Sequence, residues 1–145
     1  SRALGPGRRA VLLVTDGVDT SSRKEMSEAV AAALQSEVVV YAVGIGDDKD
    51  FDGVEKGPLR KLAAQTGGRA YFPKKGRDLN QVFHKVSEEL TSQYVLTFAP
   101  QGAARDGSFH KVEIKLANPA LRSLNVELSY PQGYYAGNTP TAVKR

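Results

Sequence analysis

The feature that most constrains this chain is a short aliphatic run that ends abruptly in an acidic, hydroxyl-rich loop. Residues 10–14 are Ala-Val-Leu-Leu-Val, and Thr15, Asp16 and Gly17 follow directly. Because polar residues do not alternate with apolar ones, the run predicts a strand buried on both faces, typical of a parallel sheet. In open α/β sheets, ligands collect beyond the carboxyl ends of such strands. Asp16 is therefore the first candidate for a functional residue.

Strand and helix patterns alternate along the first part of the chain. Apolar residues recur at helical spacing over 22–35, 58–66 and 78–91, which predicts three helices. Aliphatic or aromatic runs at 38–43 and 70–72 predict two further strands. The resulting βαβαβα order predicts an α/β fold, with a Rossmann-like half-sheet of parallel strands and helices packed on it.

After the third helix the hydrophobic period changes from helical to alternating. Residues 109–116 and 124–130 place apolar side chains on one face and polar side chains on the other, and residues 93–98 also have strand character. Such segments predict antiparallel strands with one face in water. We therefore expect a three-stranded antiparallel β extension after the half-sheet.

The length of the chain favours a single domain with an appended segment. At 145 residues it can bury a core of its own. We expect residues 1–91 to form the α/β part and residues 92–136 to form the extension, packed on the same domain. Residues 137–145 carry Gly, Asn, Thr and Pro and are expected to be a flexible tail.

Composition narrows the classes of partner. The net charge is +4 with basic and acidic residues interspersed, so a nucleic-acid partner is not expected. The chain has no Cys, which excludes disulfides and thiolate metal sites. No apolar run approaches the roughly 18 residues of a membrane span, so none is expected. No secretory signal peptide is expected at the start of this sequence.

Four strings along the chain carry a resemblance to a known family: VLLVTDGVDTSS, VVVYAVGIGDD, LRKLAAQTGGRAYFP and VFHKVSEELTSQYVLTFAP. Together they resemble the von Willebrand factor type A domain, over residues 9–136. The later strings DGSFHKVEIKL and LNVELSYPQGYYA are similar to the β extension of a related bacterial group. The resemblance implies a non-enzymatic adhesion or interaction module that binds a protein, in a secreted or cell-surface bacterial protein.

The metal-ion-dependent adhesion site that this resemblance implies is incomplete here. In the family, an Asp-x-Ser-x-Ser loop, a Thr from a later loop and an Asp after the fourth strand hold Mg²⁺ or Mn²⁺. Of these, Asp16 in the Thr-Asp-Gly string has a match, and no Asp-x-Ser-x-Ser occurs in the sequence. Asp19 is a second candidate ligand. One or two carboxylates hold a hard cation only weakly. We therefore expect the metal in the intact parent domain and none in this chain.

The missing motif also implies that the chain resembles the C-terminal half of such a domain. In the complete family fold the strand at 10–14 is central, whereas its neighbour on one side has no counterpart in this sequence. An unpaired aliphatic strand edge is a template for pairing with another chain. We therefore expect a homo-oligomer, a complex with the missing N-terminal half, or an extension folded over that edge.

Two other functions are weighed against the interaction module. Hydrolases of the haloacid dehalogenase type place Asp-x-Asp-x-Thr after a buried strand, and DGVDT at residues 16–20 approaches that pattern with its second Asp one residue late. The acidic residues at 46–50 also miss the spacing of the second, Mg²⁺-binding motif. A Mg²⁺-dependent hydrolase is therefore the alternative, and a purely structural or assembly domain is the third hypothesis.

Overall fold

Strands and helices alternate through the first part of the computed structural model, which describes residues 9–16, 25–45, 56–73, 76–100, 106–124 and 126–136. The elements are β1 (Arg9–Thr15), α1 (Met26–Gln35), β2 (Val38–Gly44), α2 (Lys56–Thr66), β3 (Ala70–Tyr71), α3 (Gly76–Thr91), β4 (Phe109–Lys111), α4 (Pro119–Ser123) and β5 (Gly133–Tyr135). The first six elements confirm the predicted βαβαβα order.

The strands β1, β2 and β3 form one parallel sheet in that order. β1 and β2 pair along their whole length, from Arg9 opposite Val38 to Thr15 opposite Gly44. β3 pairs with the second half of β2. Because β1 and β2 end level, the residues that follow them lie at one edge of the sheet, called here the carboxyl edge.

β2 is the core strand because helices cover both of its faces. Tyr41 and Val43 pack against α3, whereas Val40 packs against α1 and α2, as the alternation of side chains along a strand requires. The buried residues of the two clusters are Tyr41, Val43, Val82 and Val86 on one face, and Val30, Val40 and Leu62 on the other. The continuous aliphatic run of β2 thus has the two-sided burial that its sequence predicted.

β1 does not have the two-sided burial that its sequence predicted. Val11, Leu12 and Val14 are 49 %, 38 % and 46 % exposed, while Leu13 packs against the cluster of α1 and α2. A strand is buried by neighbouring strands as well as by helices, and within the described residues β1 pairs with β2 alone. The described strands of the extension, β4 and β5, pair with each other and leave this edge uncovered.

The helices agree with their predicted spans to within a few residues. α1 begins at Met26, and residues 22–24 of the predicted helix lie outside the described residues. α2 and α3 each begin two residues before their predicted starts, so Asp78 lies in the first turn of α3. α2 ends at Thr66 as predicted, because Gly67 follows with a φ of +87°, which favours glycine.

The predicted three-stranded extension was wrong in its number of strands. β4 and β5 form a two-stranded antiparallel sheet, with Phe109 opposite Tyr135. Residues 93–98 and the described residues of 124–130 form no strand. The helix α4 interrupts the segment instead. The Asn118 side chain caps this helix by accepting a hydrogen bond from the Ala120 N–H. An alternating pattern specifies a half-buried face, but a strand also needs a partner strand, and the pattern does not supply one.

The extension is attached beside the C-terminal end of α2. The Gln132 N–H donates to the Gln65 carbonyl oxygen at 3.1 Å. Gly67 lies so close to the extension that a Cβ built on it would be 2.6 Å from the Pro131 nitrogen. The backbone of residues 130–132 and the end of α2 are therefore in direct contact, which places the extension against the α/β part.

Candidate functional site

Asp16 lies at the carboxyl edge, where the sequence predicted it. It follows the last residue of β1, and the Ile45 N–H donates to the Thr15 carbonyl oxygen at 2.8 Å. This hydrogen bond holds the two chain segments that leave β1 and β2 side by side. The Asp16 side chain is exposed, so its carboxylate is open to an incoming group. The second candidate ligand, Asp19, lies outside the described residues.

The described part of the chain does not bring metal-ligating side chains together at this edge. It contains no group of three or more Asp, Glu, His or Cys residues that could hold a metal ion. Asp16 supplies one carboxylate, whereas Mg²⁺ requires near-octahedral oxygen coordination. The described residues alone therefore do not fit a tight cation site, and further ligands would have to come from elsewhere.

A basic and aromatic cluster lies at the end of β3, and sequence analysis missed it. The Arg60 guanidinium lies 5.2 Å from the centre of the Phe72 ring, and Lys56 Nζ lies 5.8 Å from it. Both distances allow a cation–π interaction. The signal was present, because residues 56 and 60 are one helical turn apart and Phe72 follows a strand.

A polar network centred on Arg69 joins the sheet, α3 and the extension. Arg69 Nε lies 3.3 Å from Glu89 Oε1, and its Nη1 lies 3.4 Å from Glu127 Oε2. The Tyr71 hydroxyl donates to the same Glu89 oxygen at 2.9 Å. Burial, and then the nearby Glu89 carboxylate, raise the pKa of Tyr71 and that of Tyr41. Both tyrosines are therefore neutral hydrogen-bonding groups at physiological pH.

The start of β4 places a serine beside a histidine without forming a catalytic triad. Ser108 Oγ lies 3.0 Å from His110 Nε2, and the His110 ring stacks on Tyr134 at 5.3 Å. Asp106 accepts the Ser108 backbone N–H at 2.9 Å, and hydrogen bonding from Ser108 lowers the pKa of its carboxyl. In a Ser-His-Asp triad, the carboxylate accepts a hydrogen bond from the imidazole ring, whereas the Asp106 carboxylate accepts one from Ser108. His84, the other histidine, is exposed on α3.

The hydrolase hypothesis also depends on Asp16. Its nucleophile would be Asp16, which is described, but Asp19 and the acidic residues at 46–50 lie outside the described part of the chain. The Asp16 carboxylate lies at a strand end, as such a nucleophile would, and as an adhesion-site ligand would too. Both hypotheses therefore assign their central carboxylate to the same residue, Asp16.

Comparison with known proteins assigns the family. Residues 2–85 match the family model of the von Willebrand factor type A domain. The match covers more than half of the chain, so the chain belongs to the von Willebrand factor type A domain family. The parallel sheet with helices on both faces agrees with the Rossmann-like fold of that family.

Part of the chain is also similar to a solved structure. A solved structure described as an uncharacterized membrane spanning protein from Vibrio fischeri is similar, with 23% sequence identity and a TM-score of 0.49. The alignment covers 56% of this chain and 46% of that one, so the present chain spans less than half of its length. No curated protein matches the sequence. In the described part of the present chain, no helix is long and apolar enough to cross a bilayer.

Proposed function

We propose that this chain is the C-terminal half of a von Willebrand factor type A domain and works as a non-enzymatic protein-binding module. Family membership supports the interaction role, since domains of this family are generally interaction modules. The observation that carries the proposal is the outer edge of β1. It carries the aliphatic side chains of a central strand, yet Val11, Leu12 and Val14 are partly in water.

The occupant that fits this edge best is the N-terminal half of the same domain. An aliphatic strand with a free edge accepts another strand through backbone hydrogen bonds. Full burial of a Val or Leu side chain stabilises by roughly 1.5–3 kcal/mol relative to full exposure. The three side chains are about half exposed, so covering them contributes several kcal/mol. Pairing of two copies through β1 is the competing outcome.

Asp16 is proposed as a metal ligand of the assembled domain. Its exposed carboxylate at the carboxyl edge is a suitable oxygen donor for Mg²⁺ or Mn²⁺. The remaining ligands would come from the N-terminal half and from the protein partner. In this chain by itself, Asp16, with or without Asp19, would hold such an ion weakly. The bound cation would supply the positive charge that attracts a carboxylate of the partner protein.

Hydrogen exchange in the full-length protein and in this chain tests the β1 assignment. The Ile45 N–H bonds the Thr15 carbonyl oxygen, so in the parallel register the amides of Leu12 and Val14 point away from β2. We expect these two amides to be protected in the full-length protein and to exchange rapidly in this chain at low concentration. Amides of β2, which is buried in both forms, serve as the internal control. Equal protection of β1 in both samples would contradict the proposal, and protection that grows with concentration would indicate pairing of two copies.

We also infer that the parent protein is secreted or attached to a bacterial cell surface. The support is the family resemblance of the strings in residues 9–136, because the related bacterial domains are found there. Protease treatment of intact cells tests this inference. We expect the full-length protein to be cleaved while a cytoplasmic marker protein stays intact, and survival of both proteins would contradict the assignment.

A further inference from the structure

Residues 111–116 have the burial pattern of a strand with one edge unpaired. Along this segment exposed and half-buried side chains alternate, as they do in extended chain. The Val112 N–H donates to the Gln132 carbonyl oxygen at 2.9 Å, toward the β5 side. Peptide groups of adjacent residues in a strand point to opposite sides, so those of Glu113 and Lys115 point away from β5. Neither residue has a backbone hydrogen bond to another described residue.

The exposed side chains of this segment alternate in charge. Lys111, Glu113 and Lys115 are exposed, whereas Val112 and Ile114 are half-buried. Lys115 Nζ lies 3.1 Å from Glu113 Oε1 within the chain, and the two side chains remain 75% and 64% exposed. Both charges therefore remain available to a second strand beside them.

This charge pattern is complementary to itself in an antiparallel arrangement. When two copies pair about a two-fold axis at Ile114, Glu113 of each copy lies opposite Lys115 of the other. Val112 then lies opposite Leu116, and Ile114 lies opposite its own copy. A register centred on Glu113 would instead place like charges opposite one another, which destabilises a strand pair. A register centred on Val112 also pairs opposite charges, Lys111 with Glu113, but it leaves Lys115 outside the Lys–Glu pairs, so Lys115→Glu distinguishes the two registers.

We propose that two copies of this chain pair through residues 111–116 and join their β4–β5 sheets into one four-stranded antiparallel sheet. A two-stranded sheet by itself is marginally stable, whereas four strands with an apolar face are self-supporting. The interface is isologous, as expected of a two-fold dimer. It uses an edge of the extension rather than β1, so it is independent of the binding function proposed above.

Charge exchange across the interface tests the proposal. Glu113→Lys places two Lys–Lys pairs in the dimer, and Lys115→Glu places two Glu–Glu pairs there. Each cross-strand pair contributes roughly 0.2–1 kcal/mol, so replacing two attractive pairs with repulsive ones should weaken association by about fourfold to several hundredfold. An equimolar mixture of the two variants restores every opposite-charge pair. We expect that mixture to dimerise as the unchanged chain does, in sedimentation velocity over a range of concentrations.

A matched control separates the interface from a general effect of charge. Glu88→Lys makes the same charge change at an exposed position on α3 and should leave association unchanged. Circular dichroism should show the same fold for all variants, because the substituted side chains are exposed. A chain that stays monomeric at the highest concentration, a dimer that Glu113→Lys does not weaken, or a mixture that stays monomeric would each overturn the proposal. Pairing of residues 93–98 with this edge would give the first of these outcomes, with amide protection that does not depend on concentration.

Discussion

β1 and β2 have similar aliphatic sequences and opposite environments. They pair residue by residue, so Val14 lies directly opposite Val43. Val43 is fully buried, whereas Val14 is 46% exposed. The difference arises because β2 has a strand on each side and helices on both faces, while β1 has one described neighbour. An aliphatic sequence indicates that a strand is stabilised by burial. The position of the strand in the sheet decides how much of it is buried.

The largest expected effect is a difference in stability between one charged substitution in β2 and the same substitution in β1. Val43→Asp buries a carboxylate with no partner, and we expect it to cost several kcal/mol of unfolding free energy or to prevent folding. Val14→Asp keeps its carboxylate in water and should cost no more than about 1 kcal/mol. Urea denaturation followed by circular dichroism measures both. Equal losses would show that β1 is buried as deeply as β2.

The next largest loss of stability is expected where Gly68 packs against the backbone of β2. A Cβ built on Gly68 would be 2.1 Å from the Val40 carbonyl oxygen, so Gly68→Ala must displace backbone of β2 or of the turn. We expect a loss of about 1–3 kcal/mol in thermal or urea unfolding. Gly57→Ala is the matched control, since nothing lies within 4 Å of the added atom and alanine favours the helix by about 0.5–1 kcal/mol. A stable Gly68→Ala variant would mean that this side of β2 is loosely packed.

A smaller effect on the free energy of unfolding depends on pH and concerns β3, the second strand that pairs with β2. Tyr71 of β3 has a pKa above its ordinary value of 10.0, because it is partly buried beside Glu89. A raised folded-state pKa stabilises the fold fully below the unfolded value, and this stabilisation is lost as pH rises above about 10. Tyr71→Phe should lose about 1 kcal/mol near pH 7 from the missing hydrogen bond.

The same variant should show a shallower loss of stability between pH 9 and pH 11. Part of the slope should remain, because the pKa of Tyr41 is raised as well. Tyr94→Phe is the control, since that side chain is 93% exposed and should change neither quantity. Urea denaturation at each pH measures the free energy, and an unchanged alkaline slope in Tyr71→Phe would contradict the assignment.

The smallest expected effect is at the end of β1, where Asp16 lies. With a dissociation constant on the order of tens of millimolar, a few millimolar Mg²⁺ would stabilise this chain by a few tenths of a kcal/mol. We expect almost no change in melting temperature when Mg²⁺ replaces a chelator, and none from the ion in Asp16→Ala. A rise of several degrees that Asp16→Ala abolishes would mean that this chain holds a complete metal site.

The predictable parts of the fold are those that depend on local periodicity. The helical spacing of apolar residues located α1, α2 and α3, and the run at 38–43 located the buried β2. The acidic loop after residue 14 placed Asp16 at the carboxyl edge. The Arg69 network was not predicted, because its carboxylates Glu89 and Glu127 are distant in sequence and meet through the contact between α3 and the extension.

By itself, the sequence determined the order of the first six strands and helices, the family and the position of Asp16, because these depend on spacing within short segments. The tertiary structure decided which strands are paired. The alternating residues at 124–130 have the period of a strand, yet those that the structure describes form none, whereas Gly133–Tyr135 pairs with Phe109–Lys111. A strand is completed by backbone hydrogen bonds to another segment, and no local pattern specifies where that segment lies.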